Sequence, residues 1–151
     1  MSLADDLLDY QSYVKIRETE GRKTLLDPVR KKSIILQPEE LVRQIWLWYL
    51  HEKYGIPFAA MSVEKMLQTP NSQRRYDLIV YQQGIPHLLF EFKSFKVQLD
   101  QDTCMQIAQY NRQLNVPYLV ISNGKETMAF EVRKDEAEVV SLPSLPLEQL
   151  P

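Results

Sequence analysis

Glu91 and Lys93 stand two residues apart in "LLFEFKS", at the end of a run otherwise built of Leu and Phe, and Asp77 opens the apolar run before it. Side chains alternate across a strand, so Glu91 and Lys93 share a face with Leu89 while Leu88, Phe90 and Phe92 share the other. The same alternation places Asp77 with Ile79 and Tyr81. If the two runs pair as a hairpin, Asp77 and Glu91 converge near one end of a sheet with Lys93 beside them. Burying two carboxylates together is costly without a counter-charge. A divalent cation held by oxygen supplies that charge. Mg²⁺ (or Mn²⁺) commonly takes one or two carboxylates and completes its shell with waters and a substrate phosphate. Such a metal polarises the phosphate and acidifies a bound water, while an adjacent ammonium orients that water or stabilises developing negative charge. The chemistry open to this triplet is phosphodiester hydrolysis. Its plain alternative is a solvated strand face with a cross-strand ion pair, the commoner meaning of an isolated Glu-X-Lys.

Several elements must form to position these residues. Pro38, Glu39 and Glu40, followed by apolar residues at helical spacing and closed by Gly55, predict a helix over about residues 38–54. "FAAMSVEKML" reads as a strand and "QTPNSQRR" as a turn-rich loop. "YDLIVYQ" and "HLLFEFKS", separated by "QGIP", predict an antiparallel hairpin. "DQDTCMQIAQYNRQLN" predicts a helix capped near Asp100, with Cys104, Ile107, Ala108 and Leu114 toward the core. "VPYLVISNG" and "ETMAFEVR" predict two further strands. Residues 1–33 read as an extension with a short helix in "DDLLDYQSYVKI" and a loop through "ETEGRKT", without evident chemistry. Residues 34–139 form the main domain. The Leu/Pro-rich tail, 140–151, reads as an irregular surface segment or a contact point for a partner.

The chain has 151 residues, 44% hydrophobic and 25% charged, which suits one domain with a real core. Its net charge of -2 gives no global basic field, so any nucleic-acid site must be local. The single cysteine, Cys104, excludes an intramolecular disulfide framework and a zinc cluster of several thiolates. Apolar runs fall short of the ~20 residues of a membrane helix, and "MSLADDLLDYQ" lacks the positive charge of a signal peptide. A soluble, cytoplasmic protein with no membrane partner is expected.

Asp77, then Glu91-Phe92-Lys93, then Gln106-Ile107-Ala108-Gln109-Tyr110, preceded by an acidic helix, resembles the PD-(D/E)XK nuclease superfamily. More narrowly, "DPVRKKSIILQPEELVRQ", "RRYDLIVY", "LLFEFKS", "QIAQYN" and "YLVISNG" are similar, in order over residues 27–124, to the N-terminal nuclease domain of type I restriction enzyme R subunits. The resemblance implies an α/β (α+β) fold of the restriction-endonuclease type, a mixed central sheet flanked by helices, and a Mg²⁺-dependent DNA cleavage site. It implies Asp77 and Glu91 as metal ligands, with the carbonyl of Phe92 as a third, and Lys93 as the catalytic lysine. Glu40 would match the helix acid that supports the metal or its waters, with Glu39 the less favoured claimant. Gln106 and Tyr110 match a Gln-X-X-X-Tyr motif whose side chains lie one helical turn apart. Tyr76 stands where the superfamily has Pro, and "KSF" follows the lysine where R subunits commonly have Lys-Ala-Pro. Neither departure touches a charged role. With no Gly-rich ATP-binding loop and no length for a translocase, a free-standing version of the domain is expected.

Arg75 and Lys96 gain weight as phosphate contacts from their places beside the proposed site, and Arg74 and the Arg30-Lys31-Lys32 cluster are further candidates, against a default of solvated charge. Arg43 is open between structural support and substrate contact. His51 and His87 do not suggest a site. Trp46, Trp48 and Cys104 read as core, and Glu64 as an exposed strand residue, with an acid supporting the site from behind its ligands as the lesser alternative. The leading reading is a Mg²⁺-dependent DNA endonuclease, with RNA not excluded, a homodimer plausible for double-strand cutting, and other restriction or defence subunits as partners. The alternative is a binding or regulatory module that kept the nuclease fold and acts in a larger complex.

Overall fold

The computed structural model describes residues 2–69, 72–114, 116–133 and 138–147. Its centre is a six-stranded sheet in the order β4-β5-β6-β7-β8-β9. These strands are β4 (Met61–Thr69), β5 (Ser72–Gln82), β6 (Ile85–Phe92), β7 (Tyr118–Ser122), β8 (Thr127–Arg133) and β9 (Glu138–Ser141). Every neighbouring pair is antiparallel except β6 and β7. A parallel pair needs a crossover, and helix α2 (Gln101–Tyr110) supplies it. The sheet is therefore mixed, with α1 (Pro38–Tyr54) on one face and α2 on the other.

Alternation along β6 sets these two layers. Leu88, Phe90 and Phe92 join Val42, Ile45, Trp46, Tyr49 and Leu50 of α1 in one core. Leu89 joins Cys104 and Ala108 of α2, with Ile79, Leu119, Ile121 and Phe130, in the other. Trp46 is fully buried and lies 5.1 Å from the Phe90 ring and 5.3 Å from the Tyr49 ring, centre to centre. The helix ends where Gly55 takes the left-handed conformation at φ 69°, which glycine adopts without steric cost. Asp100 caps α2 through its side chain, accepting from the Thr103 amide.

The N-terminal third departs from the sequence expectation. Beyond the 3-10 helix Leu7–Tyr13, the stretch "ETEGRKT" expected as a loop lies within a three-stranded antiparallel sheet, β1 (Ile16–Thr19), β2 (Arg22–Asp27) and β3 (Lys32–Ile35). Glu20 and Gly21 both have positive φ, 53° and 77°, the turn whose twist suits a two-residue hairpin. Leu25 of β2 is fully buried against the α1 layer, which fixes the sheet to the body.

Two further expectations change. Most of "QTPNSQRR" is strand, since the β4–β5 ladder runs out to Thr69↔Ser72; Pro70 and Asn71 lie outside the described residues. The tail is not confined to the surface: Ser141 ends β9, and Leu145 and Leu147 are buried in the α1 layer. Residues 148–151 lie outside the described residues. Among the described residues no helix is long and apolar enough to cross a membrane.

Candidate active site

Strict alternation would aim Asp77 at the α2 layer with Ile79 and Tyr81. The structure turns it the other way. Tyr76 packs in the α2 layer, its hydroxyl 3.3 Å from Asn111 Oδ1, three residues from Ile79 in the same layer. Asp77 Oδ1 instead lies 3.8 Å from Arg43 Nη2 on α1. The change of direction falls where the β4–β5 ladder is interrupted on both strands: Val63 pairs with Leu78 and Lys65 with Tyr76, while Glu64, whose φ is 55°, and Asp77 stand opposite each other outside the ladder.

The re-aimed carboxylate reaches the end of β6. Phe92 donates its backbone N–H to Asp77 Oδ2 at 2.7 Å, and the next amide, that of Lys93, donates to the Ser122 carbonyl at 2.9 Å. Asp77 is thereby joined to the strand end that carries Glu91 and Lys93. Glu91 follows Leu89 toward the α2 layer, where burial pushes the Cys104 thiol up to about 11 and the Glu91 charge adds to that push. Lys93, half-buried, acts on both sides: its charge is felt by Asp77 and Glu39 and by Cys104.

Burial pushes the Asp77 carboxyl up, against the Phe92 N–H and the Arg43 and Lys93 charges, and Glu64 adds to the rise. Glu39 behaves alike: burial raises its carboxyl and the Asp77 charge raises it further, again against Arg43 and Lys93. In both acids burial is the main cause of the rise, and the neighbouring Arg43 and Lys93 charges offset it only in part. The structure thus sets the Asp77 carboxylate toward α1 and the Glu91 carboxylate toward α2, on either side of the strand end at Phe92, instead of on one shared face as strand alternation predicted; the carboxylate and carbonyl oxygens of these residues are hard donors of the kind Mg²⁺ or Mn²⁺ takes. Among the described residues no group of three or more His, Cys, Asp or Glu side chains forms a ready-made metal cage. A metal held here would take the rest of its shell from backbone, water and substrate, as Mg²⁺ commonly does.

The two helix acids have different surroundings. Glu40 is buried, accepting from Arg30 Nη2 at 2.8 Å and Gln44 Nε2 at 3.2 Å. Arg30 and Gln44 are held in turn by Asp27, which accepts from both side chains and from the Val29 and Arg30 amides at 2.7–2.8 Å. Burial alone would raise Asp27, but the hydrogen bonds from Arg30 and Gln44 and the Arg30 charge outweigh it and hold the carboxyl below its usual range. Glu39, one position away, is the helix acid in electrostatic contact with Asp77 and Lys93. Arg30 is therefore committed to an internal network, while Lys31 and Lys32 beside it remain exposed.

Arg43 had no settled role in the sequence; it is 4% exposed and lies 3.4 Å from Glu64, 3.7 Å from Glu40 and 3.8 Å from Asp77. It stands between the acid network and the site as a shared positive charge. Gln106 and Tyr110 are both exposed on α2, away from its Cys104–Ala108 stripe. Arg75 and Lys96 are also exposed. The loop carrying Lys96 is tied to the β7–β8 turn by Asn123 Nδ2, which donates to the Val97 carbonyl at 2.7 Å. The roles of Asp27, the Arg30–Glu40 pair and Glu64 escaped the sequence reading: Asp27 is bound mostly within its own turn by Val29 and Arg30, a stretch read as irregular, while Glu40 and Glu64 meet Arg30 and Arg43 from segments distant in sequence.

A protein family described as the type I restriction enzyme R protein N terminus matches residues 38–146, a span that includes Asp77, Glu91, Lys93 and both helix acids. Searches of curated proteins and of solved structures found no match.

Proposed function

The chain belongs to the family of type I restriction enzyme R protein N-termini, and from that premise we propose that it is a Mg²⁺-dependent endonuclease domain hydrolysing DNA phosphodiester bonds. The observation that carries the reading is the 2.7 Å hydrogen bond from the Phe92 amide to Asp77. It ties a half-buried acid to the strand end bearing Glu91 and Lys93.

Asp77, Glu91 and the Phe92 carbonyl would hold Mg²⁺ or Mn²⁺, which when bound supplies charge neutralisation for the phosphate and acidity for a coordinated water. Glu39 would hold waters at the site, the part that motif likeness offered to Glu40; Glu40 serves the Arg30–Gln44 network instead. Lys93 would set its ammonium against the scissile phosphate and offset charge building on the non-bridging oxygens. The water oxygen forms the new P–O bond, one bridging P–O bond breaks, and the departing oxygen takes up a proton as the attacking water loses one. Gln106 and Tyr110 would meet DNA from the open side of α2, and Arg75 and Lys96 would meet phosphates. DNA is the substrate, and family membership favours work beside other restriction subunits.

Incubation of supercoiled plasmid with purified protein and Mg²⁺ or Mn²⁺, with Lys93→Ala in parallel, tests this. Nicking that disappears in the variant and in chelator is the expected result. Cutting that survives either change sinks the mechanism. No cutting by the wild type under any metal condition shifts the assignment to a non-catalytic binding or regulatory module.

A further inference from the structure

Cations are not spread evenly along the chain. Residues 15–35 carry seven Lys and Arg against three Asp and Glu, whereas the remaining residues carry eleven against seventeen. The basic stretch is the small β1-β2-β3 sheet, and its strand register sorts its side chains. Ile16, Leu25 and Ile34 align across the sheet on the core-facing side, with Asp27 on the same side. Arg17, Thr24 and Ile35 align on the opposite side, as do Thr19 with Arg22 and Leu26 with Ser33. Lys15 extends that side, because its carbonyl accepts from the Leu26 amide at 3.0 Å.

The outward face thus presents Lys15, Arg17 and Arg22 with the hydroxyls of Thr19, Thr24 and Ser33, beside the apolar side chains of Leu26 and Ile35. All are exposed except half-buried Thr24. Of the stretch's three acids, Asp27 is buried and Glu18 points to the core-facing side in register with Lys23, while Glu20 sits in the turn beyond. Ordinary surfaces intersperse both signs. This face carries cations and hydroxyl donors without a carboxylate among its described strand residues, the donor set that meets phosphates in nucleic-acid complexes. Lys15 and Arg17 stand roughly 7 Å apart along the strand, so the two can engage separate phosphates of a backbone.

The sheet also adjoins the site. The β2–β3 turn carries Arg30, which links Asp27 at 2.7 Å to Glu40 at 2.8 Å; Glu40 lies 3.7 Å from Arg43, and Arg43 lies 3.8 Å from Asp77. Resting on the nuclease reading above, we infer that the outward face of β1-β2-β3, through Lys15, Arg17 and Arg22, is a docking surface for the phosphate backbone of duplex DNA, holding the substrate beside the site.

The test is binding of a fluorescent 30-base-pair duplex by anisotropy across a salt series in Ca²⁺, comparing wild type with Lys15→Ala/Arg17→Ala/Arg22→Ala. A Lys65→Ala/Arg112→Ala/Arg133→Ala control removes equal charge elsewhere. The face variant should bind on the order of tenfold or more weaker at low salt. Its log–log salt slope should be shallower by about 2–3, near one unit for each phosphate no longer neutralised. Arg17→Gln/Arg22→Gln, with smaller change at exposed positions, should move both readouts the same way. Wild-type binding by the face variant, equal loss in the control, no duplex binding by wild type, or preference for RNA overturns the inference. Wild type that binds through this face but never cuts overturns the nuclease reading alone. Wild type that cuts while the face variant binds and cuts unchanged overturns the docking surface alone.

Discussion

Replacing Asp27 by Ala should destabilise the fold more than any change at the proposed catalytic residues. Asp27 is completely buried and accepts four short hydrogen bonds, from the Val29 and Arg30 amides, Arg30 Nε and Gln44 Nε2, all at 2.7–2.8 Å. Gln44 Nε2 and Arg30 Nη2 would keep Glu40 as acceptor at 3.2 and 2.8 Å. Two backbone donors and Arg30 Nε would lose theirs. Each buried donor left unpaired costs about 1–3 kcal/mol, and breaking a buried ion pair from one side costs about 3–5 kcal/mol. Arg30, 16% exposed at its side chain, admits some water to the turn, so the total should fall near about 3–5 kcal/mol. That corresponds to a fall in Tm on the order of 10 °C for a domain of this size. Urea unfolding followed by Trp fluorescence measures it directly. Acid adds a second readout. Because the folded carboxyl is held below its unfolded value of about 3.9, its contribution is present above that pH and is lost as pH falls through the lower folded value. Asp27→Asn should flatten that acid limb. A loss below about 1 kcal/mol in Asp27→Ala, with an unchanged acid limb in Asp27→Asn, would refute the network as a stabilising unit.

Glu39→Gln and Glu40→Gln should separate function from stability: the first should slow plasmid nicking with stability within about 0.5 kcal/mol of wild type, and the second should lower the urea midpoint by weakening the Arg30 pair. Equal midpoints with equal cutting would remove the distinction. Trp46→Ala, which empties the largest fully buried side chain of α1, should cost about 3–5 kcal/mol in the same unfolding assay; under 1 kcal/mol would mean the α1 layer is not packed as described. Cys104, buried and with its thiol pushed up to about 11, should resist a thiol-reactive disulfide reagent at pH 8 until denaturant is added; rapid labelling of the folded protein would contradict that placement.

The parts of the molecule that follow local rules were legible. Helix α1 begins with Pro38 and two acids and ends at Gly55, and the β5–β6 hairpin turns at Gln83–Gly84, both with positive φ. What depends on partners was not. All four residues of β1 are exposed, so no apolar alternation marks the strand, which exists through pairing with β2. Leu145 and Leu147 gain burial from the α1 layer and not from any local pattern. The triplet Asp77, Glu91 and Lys93 could be nominated from strand spacing, yet the alternation fails at Asp77, where the β4–β5 ladder is interrupted opposite the left-handed backbone of Glu64, and glutamate carries no signal of that conformation. Glu39 and Glu40 are adjacent letters separated by about 100° around a helix. Only Arg30, ten residues upstream in a segment without a helical or strand pattern, decides which of them is occupied.

The claim on which the functional account depends is that Asp77 and Glu91 hold a divalent cation beside Lys93. Titration of Mn²⁺ into the DNA-free protein, with free ion read by electron paramagnetic resonance, tests it without assuming a substrate. The account predicts that wild type binds Mn²⁺ in competition with Mg²⁺, and that Asp77→Asn/Glu91→Gln loses this binding while remaining folded by circular dichroism. Equal binding by wild type and the double variant, or no binding by wild type, would contradict it.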